Sequence, residues 1–164
     1  MVLIQSLCEE NDLNTKKINS LIHRAEDIST KSGNKLTATR KQVLIAMLKS
    51  NKALSAYELA EHVKQEFDRS IPTMSVYRIL DVLVDAKLVH KMSLVNKYIA
   101  CSHISCDHKH MFARFLICSN CHKVKELMTK GSTVKSIKGN MEETGFELVN
   151  NQLELNCLCS DCVS

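Results

Sequence analysis

Two Cys-x-x-Cys units carry the clearest chemistry in this chain: Cys118-Ser-Asn-Cys121 and Cys159-Ser-Asp-Cys162. Each turn presents two sulfurs to one ion, and two turns complete a tetrahedron of thiolates, the closed geometry of structural zinc. The pairs stand 37 residues apart, further than in a compact zinc ribbon, so the ion would tie the end of its domain back to the first strand. A redox Cys-x-x-Cys is the competing reading, but that motif normally occurs once, opening a helix after a strand. Cys118-Ser-Asn-Cys121-His122 also spells the attachment pattern of c-type haem. Haem attachment belongs outside the cytosol, and no export signal precedes it here.

A second, looser set comprises His90, Cys101, His103, His108, His110 and Glu126. Imidazole combined with thiolate favours zinc over magnesium or calcium. Such a site takes ligands from both halves of the chain, and metal binding would fix their relative orientation. The plain alternative is a solvated, histidine-rich linker. His23 and His62 read as ordinary surface polar residues.

The elements that must position these groups follow from periodicity. Ile18, Leu21, Ile22 and Ala25 keep the spacing of one helical face. Thr37 can cap a second helix with Val43, Leu44, Met47 and Leu48 inward. Ser55-Ala-Tyr-Glu58 is a capping box that opens a third, with Leu59, Ala60, Val63 and Phe67 apolar. Pro72 fits the first turn of a fourth, where Val76, Ile79, Leu80 and Leu83 face inward and Tyr77, Arg78, Asp81 and Asp85 face out. Residues 88–91 and 95–100 then read as a two-stranded hairpin. Helices followed by such a hairpin make a winged helix-turn-helix. Further on, 112–118 and 123–127 are strand-like, Val134, Ile137 and Met141 mark a helix, and Gly145-Phe146 opens a long strand running to about Cys157.

The expected fold is therefore α+β. A winged helix-turn-helix domain over 1–100 precedes a hinge at 101–111 and a small α/β dimerisation and zinc-binding domain over 112–164. The second domain is small enough to lean on a metal or on oligomerisation. Composition agrees: 164 residues suit one domain or two small ones, and four glycines and one proline are too few for an all-β fold. The first ten residues lack the basic head of a signal peptide, and no apolar run approaches a membrane span, so a reducing cytoplasm is expected. There, grouped cysteines bind metal more often than they form disulfides. No catalytic constellation, organic cofactor or membrane partner is indicated, so a binding protein is expected and not an enzyme.

The total charge of +4 is uninformative, but its distribution is not. Residues 35–98 hold eleven Lys/Arg against six Asp/Glu, whereas 112–164 hold six of each. A basic winged-helix half points to double-stranded DNA. Thr73, Ser75, Tyr77 and Arg78 lie at the N-terminal end of the recognition helix, where such proteins touch bases. Arg78 can reach a guanine or a phosphate, and Tyr77 a thymine methyl. Arg40, Lys41, Lys52, Lys91 and Lys97 are candidate phosphate contacts, which set register without reading sequence.

Leu36-Thr-Ala-Thr-Arg-Lys-Gln-Val-Leu44, Ser75-Val-Tyr-Arg78 and the two Cys-x-x-Cys units, in that order, resemble the ferric uptake regulator (Fur) family over about residues 12–162. The resemblance implies a dimeric repressor with an N-terminal winged helix and a C-terminal dimerisation domain. Its metal-loaded form would bind an AT-rich palindrome over promoters. It further implies that His90 is the regulatory-site histidine at the wing and that Glu126, eight residues after Cys118, is the regulatory glutamate. Cys101, eleven residues after His90, matches the cysteine of the zinc-sensing branch. The remaining ligand is expected to be His110, with His108 and then His103 as substitutes. The Met111–Ile117 run lacks the His-x-His of iron and peroxide sensors, which remain the alternative within the family. His122 and Cys157 stand where the family usually has glycine. Cys8, Cys106 and Cys157 receive no role.

Overall fold

The structure is a computed structural model that describes residues 15–50, 52–104, 112–128, 131–147, 149 and 151–163. Cys8, Cys106, His108 and His110 lie outside the described residues. The chain divides into two compact units, Met1–Asp107 and His108–Ser164.

The first unit contains α1 (Thr15–Lys31), α2 (Ala38–Ser50), α3 (Ala56–Phe67), α4 (Thr73–Asp85), β1 (Val89–Met92) and β2 (Lys97–Ala100). Thr37 caps α2 through a hydrogen bond that its hydroxyl accepts from the Arg40 amide at 3.4 Å. The capping box of α3 is complete: Ser55 Oγ accepts from the Glu58 amide at 3.2 Å, and Glu58 Oε2 from the Ser55 amide at 2.7 Å. Asp68 ends α3 in the left-handed region, and Pro72 occupies the N-cap of α4, one place before the first turn. Residues 68–72 are thus the turn of a helix-turn-helix. Leu44, Leu59, Val63, Val76, Leu80, Leu83 and Leu88 are fully buried where these helices meet.

β1 and β2 pair antiparallel from Val89–Ala100 to Met92–Lys97. Leu54, just before α3, exchanges both backbone hydrogen bonds with Tyr98 at 2.8 Å and adds a single bridge to the wing. The unit extends past β2, for Cys101 and Ile104 are buried in the same core.

The second unit contains β3 (Ala113–Cys118), β4 (Val124–Met128), α5 (Gly131–Glu143) and β5 (Gln152–Cys157). Its sheet has the order β4-β3-β5, with β3–β4 antiparallel and β3–β5 parallel. Phe115 and Ile117 on β3 are fully buried. The long strand expected from Gly145 is shorter and starts at Gln152. Gly145 instead closes α5. It adopts φ +76°, its amide bonds to Glu142 O at 3.1 Å, and the Phe146 amide bonds to Met141 O at 3.1 Å. Those two bonds are the Schellman arrangement, whose left-handed residue suits glycine. No helix among the described residues is long and apolar enough to cross a membrane.

Candidate metal centre and nucleic-acid interface

Cys118 is the last residue of β3, and Cys159 follows the end of β5 by two residues. Since those strands run parallel, both turns emerge at one end of the sheet. The ligand sulfurs of Cys118, Cys121, Cys159 and Cys162 all lie within 4.8 Å of one another. Cys121 Sγ and Cys159 Sγ are 3.6 Å apart. A tetrahedron with zinc–sulfur bonds of about 2.3 Å has sulfur–sulfur edges of about 3.8 Å, whereas a disulfide would need about 2 Å. The donor set therefore fits zinc, and its cysteines are free thiols.

Backbone amides support the same reading. The Cys159 amide donates to Cys118 Sγ at 3.4 Å. Amides of Cys121 and Cys159, in that order of effect, lower the Cys118 thiol to about 6. The hydrogen bond that the Cys162 thiol donates to Cys159, and then burial, push Cys162 up to about 12. Burial chiefly raises Cys159. The first negative charge is welcome here and further ones are not, until a divalent cation neutralises them. Lys123 after the first turn pairs with Asp161 of the second at 3.2 Å. His122 is exposed and holds φ +58°, which explains why glycine suits that position. Cys157 Sγ donates to Ile117 O at 3.5 Å and stands outside the four-sulfur group.

In the first unit, half-buried His90 on β1 and buried Cys101 after β2 bring their ligand atoms within 4.8 Å. The Cys101 amide donates to Leu88 O at 2.9 Å, which pins the residue to the start of the wing. The His103 amide donates to Cys101 Sγ at 3.4 Å. The His103 imidazole is not among the donors gathered with His90 and Cys101. Glu126 lies on β4 of the second unit, half-buried and opposite Phe115.

The DNA candidates divide by environment. Arg78 and Lys52 are exposed, while Thr73, Ser75 and Tyr77 are half-buried, Tyr77 against the core. Arg40 is half-buried and donates from Nη1 to Lys35 O. Lys41 pairs with Glu26 on α1. Lys97 Nζ pairs with Glu58 Oε1 at 3.0 Å. Lys91 sits over the Tyr98 ring, 5.9 Å from its centroid. The sequence reading passed over Met74, an exposed apolar residue on α4; its exclusion from the apolar positions 76, 79, 80 and 83 is the signal that marks it.

A winged helix-turn-helix followed by a four-thiolate metal site defines a metal-dependent DNA-binding regulator. The chain belongs to the ferric uptake regulator family, whose model it matches over residues 31–156. It is 35% identical to the zinc uptake regulation protein of Escherichia coli (strain K12) over 144 residues, 87% of this chain and 81% of the relative. A zinc uptake regulator solved in complex with zinc and DNA superposes with a TM-score of 0.75 at 31% identity, covering 89% of this chain and 95% of that one. Holo XcZur superposes with a TM-score of 0.71 at 32% identity, covering 88% and 98%.

Proposed function

We propose that this protein is a zinc-sensing transcriptional repressor that acts in the cytoplasm as a zinc-loaded homodimer on palindromic, AT-rich operators of metal-uptake genes. It is a regulator and not an enzyme. The observation that carries the reading is the presence in one chain of a winged helix-turn-helix and four thiols at zinc-binding distances. The 31% likeness to a zinc uptake regulator complexed with zinc and DNA supports zinc over iron.

In this reading residues 1–100 bind DNA, 101–111 form a hinge, and 112–164 hold the dimer and the structural zinc at Cys118, Cys121, Cys159 and Cys162. The regulatory zinc is held by His90, Cys101, Glu126 and one junction histidine, His110 first, then His108 or His103. Thr73, Ser75, Tyr77 and Arg78 serve the bases, and Arg40, Lys41 and Lys52 the phosphates. Shifting a hinge from 1:99 to 99:1 takes about 5.5 kcal/mol of differential binding. Zinc in structural peptide sites releases about 10–16 kcal/mol, so a metal specific for one arrangement suffices.

The second reading within the family is an iron or peroxide sensor. A thiol-disulfide oxidoreductase is disfavoured because Cys118-Ser-Asn-Cys121 leads from β3 into β4, with no helix on its second cysteine. Metal content after growth in defined medium, paired with footprinting under zinc, iron and manganese, separates these readings. Protection with zinc alone is expected; protection with iron alone would replace the zinc assignment.

A further inference from the structure

α4 presents a single exposed stripe. Met74, Arg78, Asp81 and Asp85 recur at i, i+4, i+7 and i+11 and are all exposed, while Val76, Leu80 and Leu83 are buried. The stripe changes character along the helix. A thioether and a guanidinium stand at its N-terminal end, and two carboxylates toward its C-terminal end. Phosphates repel the carboxylates, so DNA can meet this stripe only at the end where Met74 and Arg78 lie.

Met74 is 68% exposed, so its side chain contributes little to the core. A large apolar group at the tip of a recognition helix needs an apolar partner in the groove. The major groove offers one such group, the C5-methyl of thymine. Tyr77, the other candidate for that methyl, flanks the stripe and is half-buried against the core, whereas Met74 stands open. The unbranched, polarizable Met side chain can settle on a methyl without a hydrogen-bonding demand of its own.

We propose that Met74 is a specificity-determining residue that packs on a thymine C5-methyl in each half-site, one helical turn from the contact made by Arg78. The proposal rests on the reading of α4 as the recognition helix of a DNA-binding regulator.

Its test uses the full-length, zinc-loaded protein and duplexes that it selects from a random pool. Each thymine of a selected duplex is replaced singly by uracil, which removes the methyl and leaves O4 and base pairing intact. Wild type is expected to lose about fourfold in affinity at one thymine per half-site, the value of one buried methyl. Met74→Ala is expected to bind the parent duplex about that much more weakly and to accept thymine or uracil there equally. Met74→Leu, which keeps the apolar bulk, and Arg78→Ala are expected to retain the uracil penalty. If Met74→Ala keeps every uracil penalty of wild type, Met74 does not read a methyl. If wild type selects a sequence but ignores every uracil, the Met74 contact falls and the regulator reading stands. If it selects no sequence, both fall together. Circular dichroism and the oligomeric state of Met74→Ala, both expected to be unchanged, exclude a folding effect.

Discussion

Cys118 and Cys157 are register partners at the end of the parallel β3–β5 pair. That pairing converts a separation of 38 positions in sequence into a contact of 3.6 Å between Cys121 and Cys159. It also sorts the thiols. Cys157 is fixed by the strand and turns to the Ile117 carbonyl, whereas Cys159, two residues on, is free of the ladder and reaches the cluster.

Substitution at the two positions should therefore part ways. Cys159→Ser is expected to lose the structural zinc and with it the fold of the second unit. A metal site worth about 10–16 kcal/mol exceeds the whole stability of many small domains, so partial retention is not expected. Cys157→Ser is expected to keep the structural zinc and to lose no more than about 1 kcal/mol, the value of one weak hydrogen bond. Zinc content by elemental analysis and thermal melting of the two variants check this; equal behaviour would mean that the ligands are wrongly divided.

The Glu58–Lys97 pair predicts a pH dependence. Burial opposes ionisation of the Glu58 carboxyl, but the amide and hydroxyl of Ser55 and the Lys97 ammonium outweigh it and hold it at about 2, below its ordinary 4.5. A carboxyl depressed by folding adds stability that is complete above 4.5 and lost as pH falls through about 2. The pair is partly exposed, so its worth is about 1 kcal/mol after screening. Glu58→Gln, which keeps an acceptor for Ser55, is expected to cost that amount at pH 7. Denaturant unfolding of both proteins should converge between pH 4.5 and 2; a constant gap down to pH 2 would remove the carboxylate as the cause.

The α+β class, the helix-turn-helix and the four-thiolate set were legible because each rests on local signals. Ser55 with Glu58 spells a cap, α4 has a clean apolar stripe, and Cys-x-x-Cys carries its own geometry. The parallel pairing of β3 with β5 was not legible, since register is a non-local property. The ion pairs of Lys41 and Lys97, both candidate phosphate contacts, were not legible either, because their acidic partners Glu26 and Glu58 lie 15 and 39 residues away in sequence. Gly145 was misread as a strand start because the apolar Phe146 after it resembled one, although a glycine after a helical run is also a stop signal.

That stop signal can be tested. Gly145 holds φ +76° with open space around its Cα, so an added methyl meets no neighbour and only the backbone conformation is strained. Gly145→Ala is expected to cost about 1 kcal/mol without changing zinc content. Gly145→Asn, which tolerates the left-handed region better, should cost less. Equal losses for Ala and Asn, measured by chemical denaturation, would point away from the helix cap.

Cys101→Ser separates sensing from structure. Cys101 lies in the first unit and outside the four-sulfur group, so the variant should fold and keep its structural zinc. Replacing even an outer partner of a metal ligand costs about 10–100-fold in affinity, so a ligand itself should cost at least tenfold. The expected result is repression or operator binding that needs at least tenfold more free zinc. Unchanged zinc dependence in a buffered titration would remove Cys101 from the sensing site.

Charge placement predicts which lysines respond to salt. Lys52 is exposed, while Lys41 and Lys97 are engaged by carboxylates of their own fold. A phosphate contact releases a counterion on binding, which gives a slope of about −0.9 per contact in log affinity against log salt. Lys52→Ala is expected to flatten that slope by about one contact and to weaken selected and random duplexes alike, because phosphates carry no sequence. Lys97→Ala is expected to leave the slope nearly unchanged and to lose stability instead, since its loss frees Glu58 from its partner and not the DNA from a cation. Titrations at several salt concentrations distinguish the two. A slope change in Lys97→Ala as large as that in Lys52→Ala would show that Lys97 leaves Glu58 for the phosphate when DNA binds.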